Sequence, residues 1–323
     1  MAADVTEKRG AQVAEKRAAQ VAESPVLDDI DARPGSTASL LRTLIGLYLR
    51  PLGGWISAAD LVALAGDLGI PVAQARTGIT RLKQKGLLLA ERGHAVGYRL
   101  NPEAETMLER GDRRIFEMRE MTDADRWCLI SFSIPESARS IRHQLRRRLQ
   151  WIGAGVVSPA LWICPGHLQS EVQQIVAELD ARAWVTMFQA DTPTTPRTLP
   201  EAAAEWWDLD ALRAEHLAFQ SSLTTLADQP FAAYVQLIDR WRMLPYLDPG
   251  LPPAMLPADW PGGRSYREFA RLSQLYADAA WRHVRAVTSP AQLSETEATS
   301  SPARRAASAG SRSSRRSRPP RAE

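Results

Sequence analysis

Apolar residues recur at helical spacing through the first third of the chain. Leu41, Leu44, Ile45 and Tyr48 stand at i, i+3, i+4 and i+7, which predicts an amphipathic helix. Gly53-Gly54 breaks it. Ser57, with Asp60 three residues on, has the spacing of a helix start. Leu61, Val62, Leu64 and Ala65 fill the helix that follows. Gly69 suits the residue after its end, where a positive φ is needed, and Pro71 suits the first turn of the next helix. There Val72, Ala75, Ile79 and Leu82 form an apolar stripe, and Gly86 ends it. Segments 87–91 and 97–100 flank a turn at Arg92-Gly93-His94 and read as a hairpin. Helix, helix, turn, helix, hairpin in that order predicts a winged helix-turn-helix over residues 37–104.

A second pattern occupies residues 127–190. A strand over 127–134 ends at Pro135, and Ile141, Leu145, Leu149 and Ile152 mark a helix over 139–152. Two short strands, 155–157 and 161–164, are joined at Ser158-Pro159. Leu168, Val172, Ile175 and Leu179 mark another helix, and 184–190 reads as a last strand. The order βαββαβ predicts a ferredoxin-like domain, which with a linker helix spans 105–200. Residues 201–288 read as all-helical. Asp208 caps one helix, Tyr234, Leu237, Ile238 and Trp241 define another, and Tyr266, Phe269, Leu272 and Tyr276 define a final one. Between them 245–263 is rich in Pro and Gly and reads as a loop. The expected class is α+β with three domains.

The two ends differ from this. EKRGAQVA at 7–14 is followed by EKRAAQVA at 15–22, and two copies are too few for a solenoid. Residues 1–36 read as disordered or a lone helix, and the Ser-, Ala-, Arg- and Pro-rich 289–323 as disordered. A hydrophobic content of 45% in 323 residues allows a substantial core. No apolar run is long enough to predict a membrane span, and no secretory leader pattern follows the N-terminus. Two cysteines fit a reducing cytoplasm. The net charge of +3 hides an uneven distribution: residues 37–100 carry eight Lys/Arg against three Asp/Glu, and 289–323 carry seven Arg against three Glu.

Positive charge in the first module points to double-stranded DNA. The helix at 72–85 leaves Gln74, Arg76, Thr77, Thr80, Arg81, Lys83, Gln84 and Lys85 off its apolar stripe. Arg forks onto guanine, Gln onto adenine, and Thr and Lys reach phosphates. Gly78 is expected on the exposed side, letting the helix sit close to the groove wall. Arg92 and His94 at the hairpin tip would touch an adjacent phosphate or the minor groove. A solvated basic helix is the plainer alternative; the ordered succession of cap, turn, basic helix and hairpin argues against it.

LYLRPLGGWISAADLVALAGDLGIPVAQARTGITRLKQKGLL (47–88) resembles the start of the PaaX family, repressors of phenylacetic acid degradation. The resemblance continues through RWCLISFSIPE (126–136), LRRRLQWIGAGVVSPALWICP (145–165), WDLDAL (207–212) and RMLPYLDPGLPPAMLPADWPG (242–262). It implies a homodimeric repressor with a winged helix, a Cas2-like ferredoxin domain and a helical C-terminal domain. It also implies release from DNA by an aryl-CoA thioester, phenylacetyl-CoA in the type case. No cofactor is expected. The two tails have no counterpart in the family pattern.

Cas2-type nucleases hold a metal with an Asp near the end of the first strand, where Ser133 stands here, a poor substitute for a carboxylate. His94, His143, His167, His216 and His283 are scattered, without a metal-site spacing. Cys128 and Cys164 fall on strands expected to be neighbours and read as small core residues. Arg139, Arg142, Arg146, Arg147 and Arg148 make a basic helix that would meet solvent, DNA phosphates or the phosphates of a CoA ligand; the sequence does not choose. Most of the aromatics in 206–276 read as core. Trp207, Tyr246 and Trp260, with Arg146 and with Arg240 or Arg242 at the mouth, are the candidate lining for an aryl effector. No nucleophile triad, P-loop or dinucleotide fingerprint occurs in a suitable context, so no enzyme is expected. The alternative from another class is a protein-interaction adaptor with weak DNA affinity.

Overall fold

The computed structural model describes residues 33–288 except 93 and 94. The octamer repeat, the Arg/Ser-rich end and His94 lie outside the described residues. The chain forms mixed helix and sheet, in two compact units. Of the described residues, one unit comprises 33–118, 221–242 and 266–288, and the other comprises 119–220 and 243–265. The segment 201–288 therefore contributes to both.

The first unit begins with α1 (Thr37–Tyr48), capped by Ser36, whose hydroxyl accepts the N–H of Ser39. Leu41, Leu44 and Ile45 are fully buried on it. A short strand absent from the sequence expectation follows, β1 (Trp55–Ser57). Its last residue, Ser57, also caps α2 (Ala58–Asp67) by accepting the N–H of Asp60 at 3.0 Å. Gly69 has φ +79°, as the helix-ending turn requires, and α3 (Val72–Gln84) starts directly after Pro71, which is its N-cap rather than its first-turn residue. Strands β2 (Leu88–Arg92) and β3 (Val96–Leu100) pair antiparallel from Leu88↔Leu100 to Arg92↔Val96. β1 joins the other edge of β3, giving the order β1-β3-β2.

The same unit contains α4 (Glu105–Phe116), α9 (Pro230–Trp241) and most of α11 (Gly262–Val287). α9 packs on α1. Trp241 is fully buried: its ring stacks on Phe269 at 4.5 Å, and its Nε1 donates to the carbonyl of Ile115 at 3.1 Å.

The second unit is built on a four-stranded antiparallel sheet, β4 (Trp127–Phe132), β5 (Gly155–Ser158), β6 (Leu161–Pro165) and β7 (Val185–Ala190), in the order β5-β6-β4-β7. Between these strands run α5 (Arg139–Trp151) and α6 (Gln169–Glu178). The period-2 alternation of β4 divides its side chains. Cys128, Ile130 and Phe132 enter a core with Ile141, Leu145 and Leu149 of α5 and Val172 of α6. Trp127 joins a second core with Ile163, Trp207, Leu209, Leu251 and Met255. Helices α7 (Leu199–Trp206) and α8 (Leu209–Ser222) follow the sheet, and Asp208 accepts the N–H of Ala211 at the start of α8. The expected 245–263 loop is interrupted by the end of a short helix, α10 (Leu244–Leu247), and by a 3₁₀ turn at Pro253–Met255.

Candidate nucleic-acid interface

Helix α3 buries Ala75, Gly78, Ile79 and Leu82. Two expectations are corrected here. Val72 is half exposed rather than core, because it sits at the first helical position, before the stripe closes on α1. Gly78 faces inward: a Cβ on it would stand 2.4 Å from Leu41 Cδ1. The glycine admits α1, not a groove wall.

The remaining positions fan around the helix at 100° per residue. Ala73, Thr77 and Gln84 point opposite the buried stripe. Arg76, Thr80 and Lys83 lie on one flank, Gln74 and Arg81 on the other. All eight are exposed, and Lys85, the C-cap, is half-buried. Arg76, Arg81 and Lys83 have no hydrogen-bond or ion-pair partner among the described residues. Arg81 and Lys83 also sit in the last turn, where a cation is favoured by the helix dipole. The hydroxyls of Thr77 and Thr80 donate to the carbonyls of Ala73 and Arg76, each at 2.9 Å. They must rotate away to donate to a phosphate. Gln74 Oε1 accepts from Thr37 Oγ1 at 3.3 Å. In the hairpin Arg92 is exposed, whereas Arg99 forks onto Glu91 at 2.6 and 3.1 Å. That fork holds the Glu91 carboxyl below the usual carboxylate range.

The residues suggested for an effector do not form one lining within either unit. Trp207 is buried against Gly155, with Nε1 donating to the Gly153 carbonyl at 2.9 Å and its ring tilted on Trp127. Trp260 stands edge-on to His216 and under the Arg213 guanidinium. Arg146 reaches the Pro159 carbonyl and lies over Phe132. Tyr246 is half-buried at the end of α10. In the other unit Arg242 is buried, donating to Asp239 and to Ser39 Oγ at 2.8 Å, while Arg240 lines a cavity. Among the described residues no group of three His, Cys, Asp or Glu is arranged to hold a metal. No described helix is long and apolar enough to cross a membrane. Cys128 and Cys164 face each other directly across β4 and β6, both buried.

Sequence reasoning missed Asp239. Its Oδ1 accepts from Ser39 Oγ at 2.5 Å, Thr43 Oγ1 at 2.9 Å and Arg242 Nε at 3.4 Å, and its Oδ2 accepts the Gly35 N–H at 2.7 Å. The signal was present: an acid four residues after Val235, on the inward side of an otherwise apolar helix.

Residues 36–104 are similar to the PaaX-like protein family, 120–202 to the PaaX protein central Cas2-like domain, and 207–286 to the PaaX-like protein C-terminal domain. The transcriptional repressor PaaX of Escherichia coli (strain K12) is 27% identical over 267 residues, covering 78% of this chain and 84% of that one. A solved structure of an uncharacterized protein from Mycobacterium tuberculosis is similar with a TM-score of 0.54 and 23% identity, over 76% of this chain and 97% of that one. At that identity the likeness bears on the fold.

Proposed function

Since the chain belongs to the PaaX family of transcriptional regulators, a class without catalysis, we propose that it is a repressor whose residues 37–100 form a winged helix-turn-helix. In this reading α3 is the recognition helix. It enters the major groove of duplex DNA with Gln74, Arg76, Thr77, Thr80, Arg81, Lys83, Gln84 and Lys85, and Arg92 at the end of β2 reaches a neighbouring phosphate. One observation carries the reading. α3 buries its apolar stripe on α1, while three of its cations face solvent with no partner among the described residues.

The sheet unit is then the ferredoxin-like, Cas2-like part. Its strand order, with the first and third strands side by side at the centre, supports that assignment. The repressor works as a homodimer, its two recognition helices spaced near one DNA turn, about 34 Å, or a multiple of it. The effector is an aryl-CoA thioester that binds better to a conformer with the wrong spacing. It releases DNA only by its differential affinity for the two states.

Replacing Arg76 and Arg81 by Ala tests the DNA contact. Operator affinity is expected to fall steeply in a gel-shift. If both arginines neutralise phosphates, the slope of log K against log salt flattens by about 1.8 per chain. Unchanged affinity with an intact fold refutes the assignment. A panel of CoA thioesters in the same assay tests the effector, and failure of every thioester to release DNA refutes that part alone.

A further inference from the structure

Within the first unit, α1, the turn between α2 and α3, and α9 line a half-open cavity of about 320 Å³. That is the size of a small-molecule pocket. One wall is apolar, formed by Leu40, Leu68, Ile70 and Pro71. The rest of the lining presents donors. Gln236 Oε1 accepts the N–H of Ala227 at 3.0 Å, which fixes the orientation of its amide and leaves its –NH2 without a partner among the described residues. Gln74 spends its oxygen on Thr37, and its –NH2 is likewise unpartnered among the described residues. Arg240 donates only to the carbonyls of Ser222 and Thr225 and to Thr225 Oγ1, with no ion pair among the described residues. The Asp239 carboxylate also lines the cavity, but four donors already converge on it, Arg242 among them. The two unspent amides are therefore both donors, beside an apolar wall and next to the Arg240 guanidinium, which is hydrogen-bonded but in no ion pair among the described residues.

We infer that this cavity is a binding site for a small organic carboxylate, its carboxylate held by Gln236, Gln74 and Arg240 and its apolar body lying on Leu40, Leu68 and Ile70. The bound acid ties the first turn of α3 to α9. If α3 is the recognition helix, as proposed above, acid and operator affinities are linked reciprocally. Binding of the acid itself does not depend on that reading.

The test uses the full chain without DNA, titrated with benzoate, acetate and the neutral isostere benzamide, read by calorimetry and ligand-detected NMR. Benzoate is expected to saturate one site per chain and to bind more tightly than benzamide or acetate. Gln236→Glu keeps the acceptor for Ala227 and adds a negative charge to the lining. It is expected to weaken benzoate by about tenfold or more, since like charges at close quarters are strongly disfavoured. Its melting temperature should be unchanged; if it drops, Arg240→Gln is the deciding variant. Three results overturn the inference: benzoate binding no better than benzamide, both variants retaining full benzoate affinity, or benzoyl-CoA binding where benzoate does not. A repeat of the benzoate titration with operator present separates this outcome from the DNA reading: benzoate that binds the free chain but leaves operator affinity unchanged counts against the linkage and leaves the site standing.

Discussion

Asp239→Ala is the most demanding test of how α1 is held. The carboxylate is fully buried and receives Ser39, Thr43, Gly35 and Arg242. Truncation removes the acceptor from four donors at once and takes the Asp239 charge away from the buried Arg242 guanidinium. Breaking one partner of a buried ion pair costs about 3–5 kcal/mol. At about 2–4 °C per kcal/mol for a body of 150–250 residues, the melting temperature should fall by roughly 6–20 °C. Asp239→Asn distinguishes charge from geometry. Either orientation of the amide turns a donor toward a donor, so Asn should recover only part of the loss. The assay is chemical denaturation of the full chain followed by circular dichroism, with a double-mutant cycle against Ser39→Ala. If Asp239→Ala costs less than about 1 kcal/mol, or shows no coupling to Ser39, the carboxylate does not hold α1 and the reasoning fails.

Gly78→Val should destabilise by about 2 kcal/mol through overpacking against Leu41; an unchanged denaturation midpoint contradicts the close approach. Trp207→Ala should cost about 3–5 kcal/mol as a large-to-small core change, whereas Trp207→Phe, which loses the bond to Gly153, should cost about 1 kcal/mol. A Trp207→Ala protein of full stability would return that ring to the list of ligand-facing groups. Bonds from the Thr198 hydroxyl and backbone N–H lower the Glu201 carboxyl from its ordinary value. With the folded pKa depressed, the stabilisation is present above the unfolded value, about 4.3, and is lost as pH falls through the folded one. Glu201→Gln should therefore lower stability slightly at neutral pH, change it little in acid, and so flatten the acid limb of stability against pH below about 4.3.

Much of this was legible in periodicity, and the misses share a cause. The stripe of α3 was read from apolar side chains, so a glycine could not register as a core position. Gly78 lies inside because Leu41 of another helix fills the space its missing side chain leaves. Val72, apolar but at the helix start, was counted in its place. β1 is three residues long and its last residue doubles as the α2 cap, so its strand character was hidden behind a helix signal. Cys128 and Cys164 fall on strands as expected because alternation in β4 and β6 is local, whereas β4 stops at Phe132, so Ser133 and Ile134 lie past its end. The cavity had no local signal at all. Gly35, Gln74 and Gln236 lie far apart in the chain, and only the packing of α9 on α1 brings them together.

Pairing also changes what the charge of the first module means. Residues 37–100 carry eight cations, but several are committed. Arg50 is bound to Asp112 at 2.6 Å, and Arg99 to Glu91. Arg42 reaches Met107 Sδ at 3.4 Å, and on the acidic side Asp67 meets His283 at 2.7 Å. Arg76, Arg81, Lys83 and Arg92 are left with no partner among the described residues, and three of the four are on α3. Local pairing thus removes charge from the flanks and leaves it on one helix, which is the distribution that focuses an approaching polyanion. It also sets a ceiling. With Lys85 added to these four, five cations account for a salt slope of at most about −4.5 per chain, so a steeper dependence points to cations elsewhere, such as Arg139 and Arg147 on the exposed side of α5.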